Sequence, residues 1–132
     1  MRIVLGISGA SGAIYEIRLL EVLRQSNVET YLVITAAARS TIEIETNYSP
    51  EQVEAIADFT YDNRHLGAPI ASGSFKIDGM VIAPCSIKTV SALANSYNDN
   101  LLIRAADVTL KEKRKLVVVP RETPFTRATC GY

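Results

Sequence analysis

The sequence predicts an α/β fold, a doubly wound parallel sheet covered by helices on both faces, and three observations carry that expectation. Runs of consecutive apolar residues recur, as in Ile3 to Leu5, Tyr31 to Ile34 and Leu116 to Val119, which is how strands buried on both faces read. Amphipathic helical stretches alternate with them, the order that the crossovers of a parallel sheet require. A turn of small residues, Ser8 to Gly12, separates the first strand from the first helix. The chain has 132 residues, 48% hydrophobic and 21% charged, enough for one core and too apolar for wholesale disorder. One domain over residues 1–132 is expected.

The elements follow in order. Arg2 to Ile7 is the first strand. Ala13 to Gln25 is a helix, with Ile14, Ile17, Leu20 and Leu23 three apart and Tyr15, Leu19 and Val22 widening the stripe. Glu29 to Ile34 is the second strand and Ala36 to Glu45 the second helix. Ser49-Pro50-Glu51-Gln52 joins an N-cap, a proline at the first helical position and a capping-box glutamine, so a short helix begins there. Asp62 to Gly67 is polar and loop-like, and Ala71 to Ser74 is a second cluster of small residues. Gly79 to Ala83 reads as a buried strand that Pro84 stops. Ser86 caps a helix through Val90, Leu93 and Ala94. A further helix over Asn100 to Arg114 places Leu101, Ala105, Val108 and Leu110 inward and gathers Lys111, Lys113 and Arg114 near its C-terminal end. Leu116 to Val119, ended by Pro120, is the fourth buried strand. Phe125 to Tyr132 carries no periodicity. Sheets of this class usually take a fifth strand or a closing helix, so a C-terminally truncated version of the fold is expected.

Charge and cysteine content exclude several functions. Fourteen basic residues balance fourteen acidic ones, which leaves no long-range field to attract nucleic acid or an anionic membrane. Cys85 and Cys130 form neither a disulfide framework nor a C-x-x-C pair, and one histidine cannot build a His-rich metal site. No metal is expected. No window approaches the roughly 18 apolar residues of a membrane span, and the short apolar run at the start is no signal peptide. These absences point to a cytoplasmic protein.

The strongest local signal is G-I-S-G-A-S-G-A from Gly6 to Ala13, directly between strand and helix. Small residues admit a ligand close to the backbone, and the helix N-terminus offers unpaired N–H groups to a phosphate; the hydroxyls of Ser8 and Ser11 add donors. The alternative is a tight turn in which glycine serves packing alone. No lysine follows Gly12 as a P-loop requires, and Thr35 stands where a dinucleotide site wants an acidic residue. A mononucleotide such as FMN suits the segment better. G-x-S-x-G fails at both Ser8 and Ser11, because Ala10 and Ala13 replace glycine, and His65 lies in a polar loop, so serine-hydrolase chemistry is disfavoured.

Pro84 to Thr89 follows the third buried strand and opens on the same sheet edge as the glycine turn. Ser86, Thr89 and nearby N–H groups can hold a flavin edge or a phosphate, or Ser86 can serve as an ordinary helix cap. Cys85 reads as a small buried hydrophobe. Arg121-Glu122 follows the last strand; an arginine there can fork a phosphate and a glutamate can move a proton, unless the two form a surface ion pair. Lys111 is open in the same way, since cations are favoured at a helix C-terminus regardless. Glu43 and Glu45 are two apart and cannot share one helical face, so at most one faces a site.

Taken together, these segments resemble the flavin prenyltransferase family (UbiX-like), in particular the branch whose members are named as subunits of phenolic or aromatic acid decarboxylases. The matching residues are Gly6 to Ala13, Glu45-Thr46, A-S-G-S-F-K-I-D-G-M at Ala71 to Met80, A-P-C-S-I-K-T at Ala83 to Thr89, R-A-A-D-V-T-L-K-E at Arg104 to Glu112 and V-P-R-E-T-P at Val119 to Pro124. The resemblance covers about residues 1–124. It implies a flavodoxin- or Rossmann-like flavoprotein fold with FMN as cofactor. The implied activity joins a dimethylallyl group from dimethylallyl monophosphate to reduced FMN, making prenylated FMN for a UbiD-type aromatic acid decarboxylase. Homo-oligomers, usually dodecamers with sites between subunits, are implied as well.

The resemblance also assigns roles. Gly9, Ala10 and Ser11 correspond to the flavin-binding turn, with Ser11 close to the reacting ring. Thr35, Ser86, Ile87, Lys88, Thr89 and Arg121 correspond to further flavin contacts. Glu45 matches a carboxylate that handles a proton, and Lys111, Arg121 and Glu122 surround the allylic phosphate. Two positions depart from the family pattern, since Glu16 and Ser96 stand where glycine is usual. Phe125 to Tyr132 also replaces a longer C-terminal region that normally supplies a tyrosine and an arginine for the prenyl phosphate. An alternative from another class is therefore an FMN-binding accessory subunit of an aromatic acid decarboxylase, without transferase activity. A peptidyl-cysteine decarboxylase lacks its expected catalytic histidine after the glycine turn.

Overall fold

A computed structural model describes residues 1–9, 12–95 and 100–120. In chain order the elements are β1 (Arg2–Ile7), α1 (Ala13–Gln25), β2 (Glu29–Ile34), α2 (Ala36–Glu45), α3 (Pro50–Ile56), β3 (Phe59–Asp62), β4 (Gly79–Cys85), α4 (Ile87–Ala94), α5 (Leu101–Lys111) and β5 (Lys115–Pro120). The strands form one parallel sheet in the order β3-β2-β1-β4-β5.

Alternation along the strands divides the core in two. Leu5 and Ile7 of β1 and Leu32 and Ile34 of β2 pack with Ala13, Ile17 and Leu20 of α1, Ala38 and Ile42 of α2 and Val53 of α3. Val4, Tyr31, Val33, Met80 and Ile82 pack on the other side with Leu101, Leu102, Ala105 and Ala106 of α5. The chain thus builds outward from β1 through β2 to β3 beneath one helical layer. It then returns to β4 and β5 beneath the other. The direction of winding reverses between β1 and β4, and open α/β sheets bind ligands outside the carboxyl ends of strands at such a point.

Four expectations are corrected. The sheet has five strands among the described residues, because Phe59–Asp62 pairs with β2 at the edge. Its order comes from aromatic contact across strands, Phe59 and Tyr61 stacking on Tyr31 at 4.9 and 6.5 Å between ring centroids. Four residues are too few for a periodic signal. Pro84 does not stop β4, which runs on to Cys85. The pairing register with β5 shifts between Ile82 and Cys85, and this irregularity accommodates a residue with no N–H to donate. β5 is a half-exposed edge strand rather than a buried one: Leu116 and Val118 touch the core while Val117 and Val119 are exposed.

The fourth correction concerns α5, which ends at Lys111 instead of Arg114. Lys113 takes a left-handed conformation (φ 55). Its N–H donates to the Leu110 carbonyl at 3.0 Å and that of Arg114 to the Thr109 carbonyl at 2.9 Å. This is the paired bonding of a Schellman end. Glycine is the usual residue there, so lysine hid the terminus. At α3 both bonds of the expected capping box are present, Gln52 N–H to Ser49 Oγ at 3.2 Å and Ser49 N–H to Gln52 Oε1 at 2.8 Å.

Candidate functional site

The loops after β1 and β4 are tied together by one side chain. Ser8, buried immediately after β1, donates from its N–H to the Pro84 carbonyl at 3.2 Å and from its hydroxyl to the same oxygen at 3.0 Å. Its Oγ in turn accepts the N–H of Ser86 at 2.7 Å. Ser8 is therefore a strap between the glycine turn and the Pro84–Ser86 turn, and it fixes the width of the crevice between them. Truncation to Ser8→Ala leaves the Ser86 N–H without its acceptor, at a cost of about 1–3 kcal/mol. Urea denaturation should show a lower midpoint with an unchanged m-value.

The entry to α1 is built for an anion. Gly12, its N-cap, has φ 103, a conformation that favours glycine, and offers no side-chain acceptor to the first turn. The Gly12 N–H donates to Oε1 of Glu45 at 3.2 Å, so a carboxylate from the last residue of α2 sits where the helix dipole favours negative charge. Gly9 lies against α2: a Cβ there would stand 2.5 Å from the Ala37 Cβ and 3.2 Å from the Ala37 carbonyl carbon. Thr35, half-buried at the end of β2, donates its N–H to the Ile7 carbonyl at 3.0 Å and accepts the Ala38 N–H on Oγ1 at 3.1 Å. As a hydroxyl it also carries a proton of its own to donate. Beside Glu45, a groove of about 520 Å³ runs along α1, lined by Ile14, Arg18, Thr46, Tyr48 and Gln52.

On the β4 side, Ser86 is a working helix cap. Its Oγ accepts the Thr89 N–H at 3.2 Å and donates to Thr89 Oγ1 at 2.9 Å. Ile87 and Thr89 are half-buried and Lys88 is exposed in the first turn of α4. Cys85 is buried, and burial pushes its thiol up to about 11 despite a bond with Ser8 that works the other way. It is thus a packed thiol and no nucleophile.

Lys111 lies at the opposite end of the sheet. α5 runs back from the carboxyl edge toward the start of β5, and the Arg114 guanidinium beyond it donates to the Gly73 and Phe75 carbonyls at 2.9 and 3.1 Å. That loop in turn meets the start of β1, where Arg2 donates to the Lys76 carbonyl. The Lys111 ammonium pairs with Asp107 at 3.1 Å. The small-residue cluster Ala71 to Ser74 belongs to this same amino edge. One chain therefore brings together Gly9, Thr35, Glu45, Ser86, Ile87, Lys88 and Thr89, and holds Lys111 apart from them. Ala10, Ser11, Arg121 and Glu122 lie outside the described residues.

Glu16 is the residue that a search for site chemistry passes over. It is fully buried on α1, and neither carboxyl oxygen has a hydrogen-bond partner among the described residues. Burial pushes its carboxyl well above the ordinary value, and the Ala83 backbone opposes that only in part. Its position among Ala13, Ile17 and Leu20, one helical turn in on the apolar stripe, was the signal available in the sequence. Among the described residues no group of three or more His, Cys, Asp or Glu is placed to hold a metal ion. None of their helices is long and apolar enough to cross a membrane.

Comparison with known proteins agrees with this geometry. The flavoprotein family profile matches residues 1–127. The chain is 61% identical over 125 residues to flavin prenyltransferase UbiX of Thauera aromatica, covering 95% of this chain and 64% of the relative. It thus spans just under two thirds of that protein's length. The crystal structure of a dodecameric FMN-dependent UbiX-like decarboxylase from Escherichia coli O157:H7 superposes with a TM-score of 0.92 at 49% identity, over 96% of this chain and 70% of that one. AnUbiX, solved in complex with FMN and dimethylallyl pyrophosphate, gives 0.91 at 48% identity, over 96% of this chain and 67% of that one. By fold, switch-point crevice and sequence, the chain belongs to the flavoprotein family, in its UbiX-like group.

Proposed function

We propose that the crevice between the glycine turn and the Ser86 turn holds FMN, and that the protein transfers a dimethylallyl group to the reduced flavin. The observation that carries this reading is the Ser8 strap. It joins the two loops that the family resemblance assigns to flavin at the one place where the sheet reverses its winding. The residues fit the group. Gly9 lets the turn lie flat on α2, Thr35 offers a hydroxyl proton, and Ser86 to Thr89 present a helix N-terminus from the other wall. Ala10, Ser11 and Arg121 complete the proposed flavin set. When bound, reduced FMN supplies the nucleophilic ring atoms that take the prenyl group.

The chain's own residues do the rest. Glu45, already within reach of the α1 N-terminus, is the carboxylate that moves a proton at the flavin edge. Lys111, Arg121 and Glu122 neutralise the departing phosphate and return a proton to it, because loss of phosphate from an allylic carbon needs its charge offset in a dry site. Lys111 sits at the far edge of its own sheet. In this reading it reaches a crevice only as another copy's residue, which makes a homo-oligomer part of the proposal. A UbiD-type decarboxylase is the proposed recipient of the product, and the cytoplasm the proposed compartment.

The same placement of Lys111 favours a second reading, in which a single chain binds FMN but does not transfer the prenyl group. The deciding experiment is anaerobic. The full chain is incubated with FMN, dithionite and dimethylallyl monophosphate, or the diphosphate in a parallel arm, and released flavin is weighed by mass spectrometry. A flavin heavier by one dimethylallyl unit establishes transfer and identifies the donor. Tightly bound, unmodified FMN in both arms supports the accessory reading. Failure to retain FMN at all overturns both.

A further inference from the structure

We propose that the groove along α1 is a holding site for the allylic phosphate donor, with the phosphate at Arg18 and the hydrocarbon chain over Ile14 toward Glu45. The choice of ligand rests on the transferase reading above, while the groove itself is a different place from the crevice. Three parts of the chain build it. α1 supplies Ile14 and Arg18, the segment after α2 supplies Thr46, Asn47 and Tyr48, and α3 supplies Gln52. That segment is shaped by its own bonds: Thr46 Oγ1 donates to the Ile42 carbonyl at 2.6 Å and accepts the Tyr48 N–H at 3.1 Å. Its volume of about 520 Å³ is that of a small-molecule site.

The polar groups at the Arg18 end are donors that the fold leaves unused. Arg18 is the one cation among the described residues that line the groove. Arg2, Arg39 and Arg64 each meet a carboxylate, whereas Arg18 has no hydrogen-bond or ion-pair partner among the described residues. Glu21, the acid three residues on, accepts instead from the Tyr48 hydroxyl at 3.5 Å. Gln52 accepts the Ser49 N–H on Oε1 at 2.8 Å, which leaves its amide hydrogens for a ligand. A guanidinium fork with a side-chain amide beside it suits an anion that carries several acceptor oxygens, as a phosphate does.

Charge and apolar surface follow one another along the groove in the order such a donor requires. Glu45 is tied to the Gly12 N–H at 3.2 Å. Arg18 stands six residues further along α1, about 9 Å on at the helical rise. The like charges of Glu45 and a phosphate at Arg18 therefore stay at opposite ends. Ile14 lies between them on the helix, half-buried, and Tyr48 is the other apolar wall. A phosphate held by Arg18 thus directs its chain toward Glu45 and the α1 N-terminus, where the glycine turn ends. A bare phosphate gains nothing from Ile14 and Tyr48, so the groove favours an ester with a short apolar chain. Lys111, Arg121 and Glu122 keep their proposed place, offsetting the phosphate as it departs; Arg18 holds the donor before that.

The test titrates the full, flavin-free chain with dimethylallyl monophosphate, inorganic phosphate and the uncharged dimethylallyl alcohol, by calorimetry. The parent should bind the monophosphate about tenfold or more tighter than inorganic phosphate, and the alcohol not measurably. Arg18→Gln should weaken the monophosphate by about ten- to a hundredfold, the loss of a charge-assisted fork, and Arg18→Lys by less. Ile14→Ser should narrow the gap between the monophosphate and inorganic phosphate. Equal affinity of the parent for these two ligands overturns the assignment to a donor. Monophosphate binding that is absent from the parent, or unchanged in Arg18→Gln, overturns the site. FMN affinity, from quenching of flavin fluorescence, should be the same in the parent and Arg18→Gln; a matching loss would make the groove part of the crevice and overturn a separate site. If no protein binds FMN while monophosphate binding still depends on Arg18, the FMN reading fails and the holding site stands. If Arg18→Gln does not fold, a narrowed gap in Ile14→Ser supports the proposal and an unchanged one refutes it.

Discussion

Gly9→Ala is expected to cost about 1–3 kcal/mol of stability, the range of an overpacked core, and to remove measurable FMN binding. The added methyl would stand 2.5 Å from the Ala37 Cβ, a separation no pair of carbons tolerates, and 3.2 Å from the Ala37 carbonyl carbon. α2 cannot simply retreat. Its first turn is pinned through Thr35, whose N–H is bonded to Ile7 and whose hydroxyl caps Ala38, and Ala38 and Ile42 are buried in the core beneath. The glycine turn must lift instead, which pulls the Ser8 strap and opens the crevice. Ala37→Gly supplies the control. By itself it costs about 1 kcal/mol of helix propensity, but combined with Gly9→Ala it removes the closer of the two clashes. The double variant should therefore be more stable than Gly9→Ala alone, with part of the FMN affinity regained. Strict additivity of the two changes, in urea melts and in flavin titrations, would show that the two residues do not meet as described.

Much of the fold was legible because local and global signals agree. The three central strands are continuous apolar runs, the helices α1 and α2 keep a clean stripe, and the caps at Ser49 and Ser86 bond as their residue types imply. What was hidden lacked a local signature. β3 is ordered by Tyr31 across the sheet, α5 ends on a left-handed lysine, and β4 passes through Pro84 because a register break absorbs the missing N–H. The candidate site divides in the same way. Its loops could be assigned to one edge from their order after the strands, since every strand is parallel. The strap between them joins residues 8 and 86 through a single hydroxyl, and no spacing announces such a contact. Lys111 illustrates the converse: the family resemblance attached it to the site, whereas the direction of α5 carries it to the other end of its own sheet.

Glu16→Met should stabilise the folded protein, and by more at pH 8 than at pH 4.5. The carboxyl is buried with no hydrogen-bond partner among the described residues, and even when neutral such a group costs roughly 1–3 kcal/mol, which a methionine of similar length does not incur. The pH dependence follows from linkage. Burial pushes the folded-state carboxyl well above 4.5, while the unfolded chain titrates at its ordinary value. Between those two values the folded state binds the extra proton, so stability falls as the pH rises. The favourable contribution of protonation is complete below the unfolded value and is gone once the pH passes the folded one. Above that the curve levels, with the full cost of a buried charge in place. In the methionine variant this slope disappears, leaving only the pH dependence of the other groups. Thermal melts of the flavin-free chain at intervals from pH 4.5 to pH 9 give the two curves directly, and their separation must widen with pH. Curves that stay parallel would mean the carboxyl reaches water in the folded state.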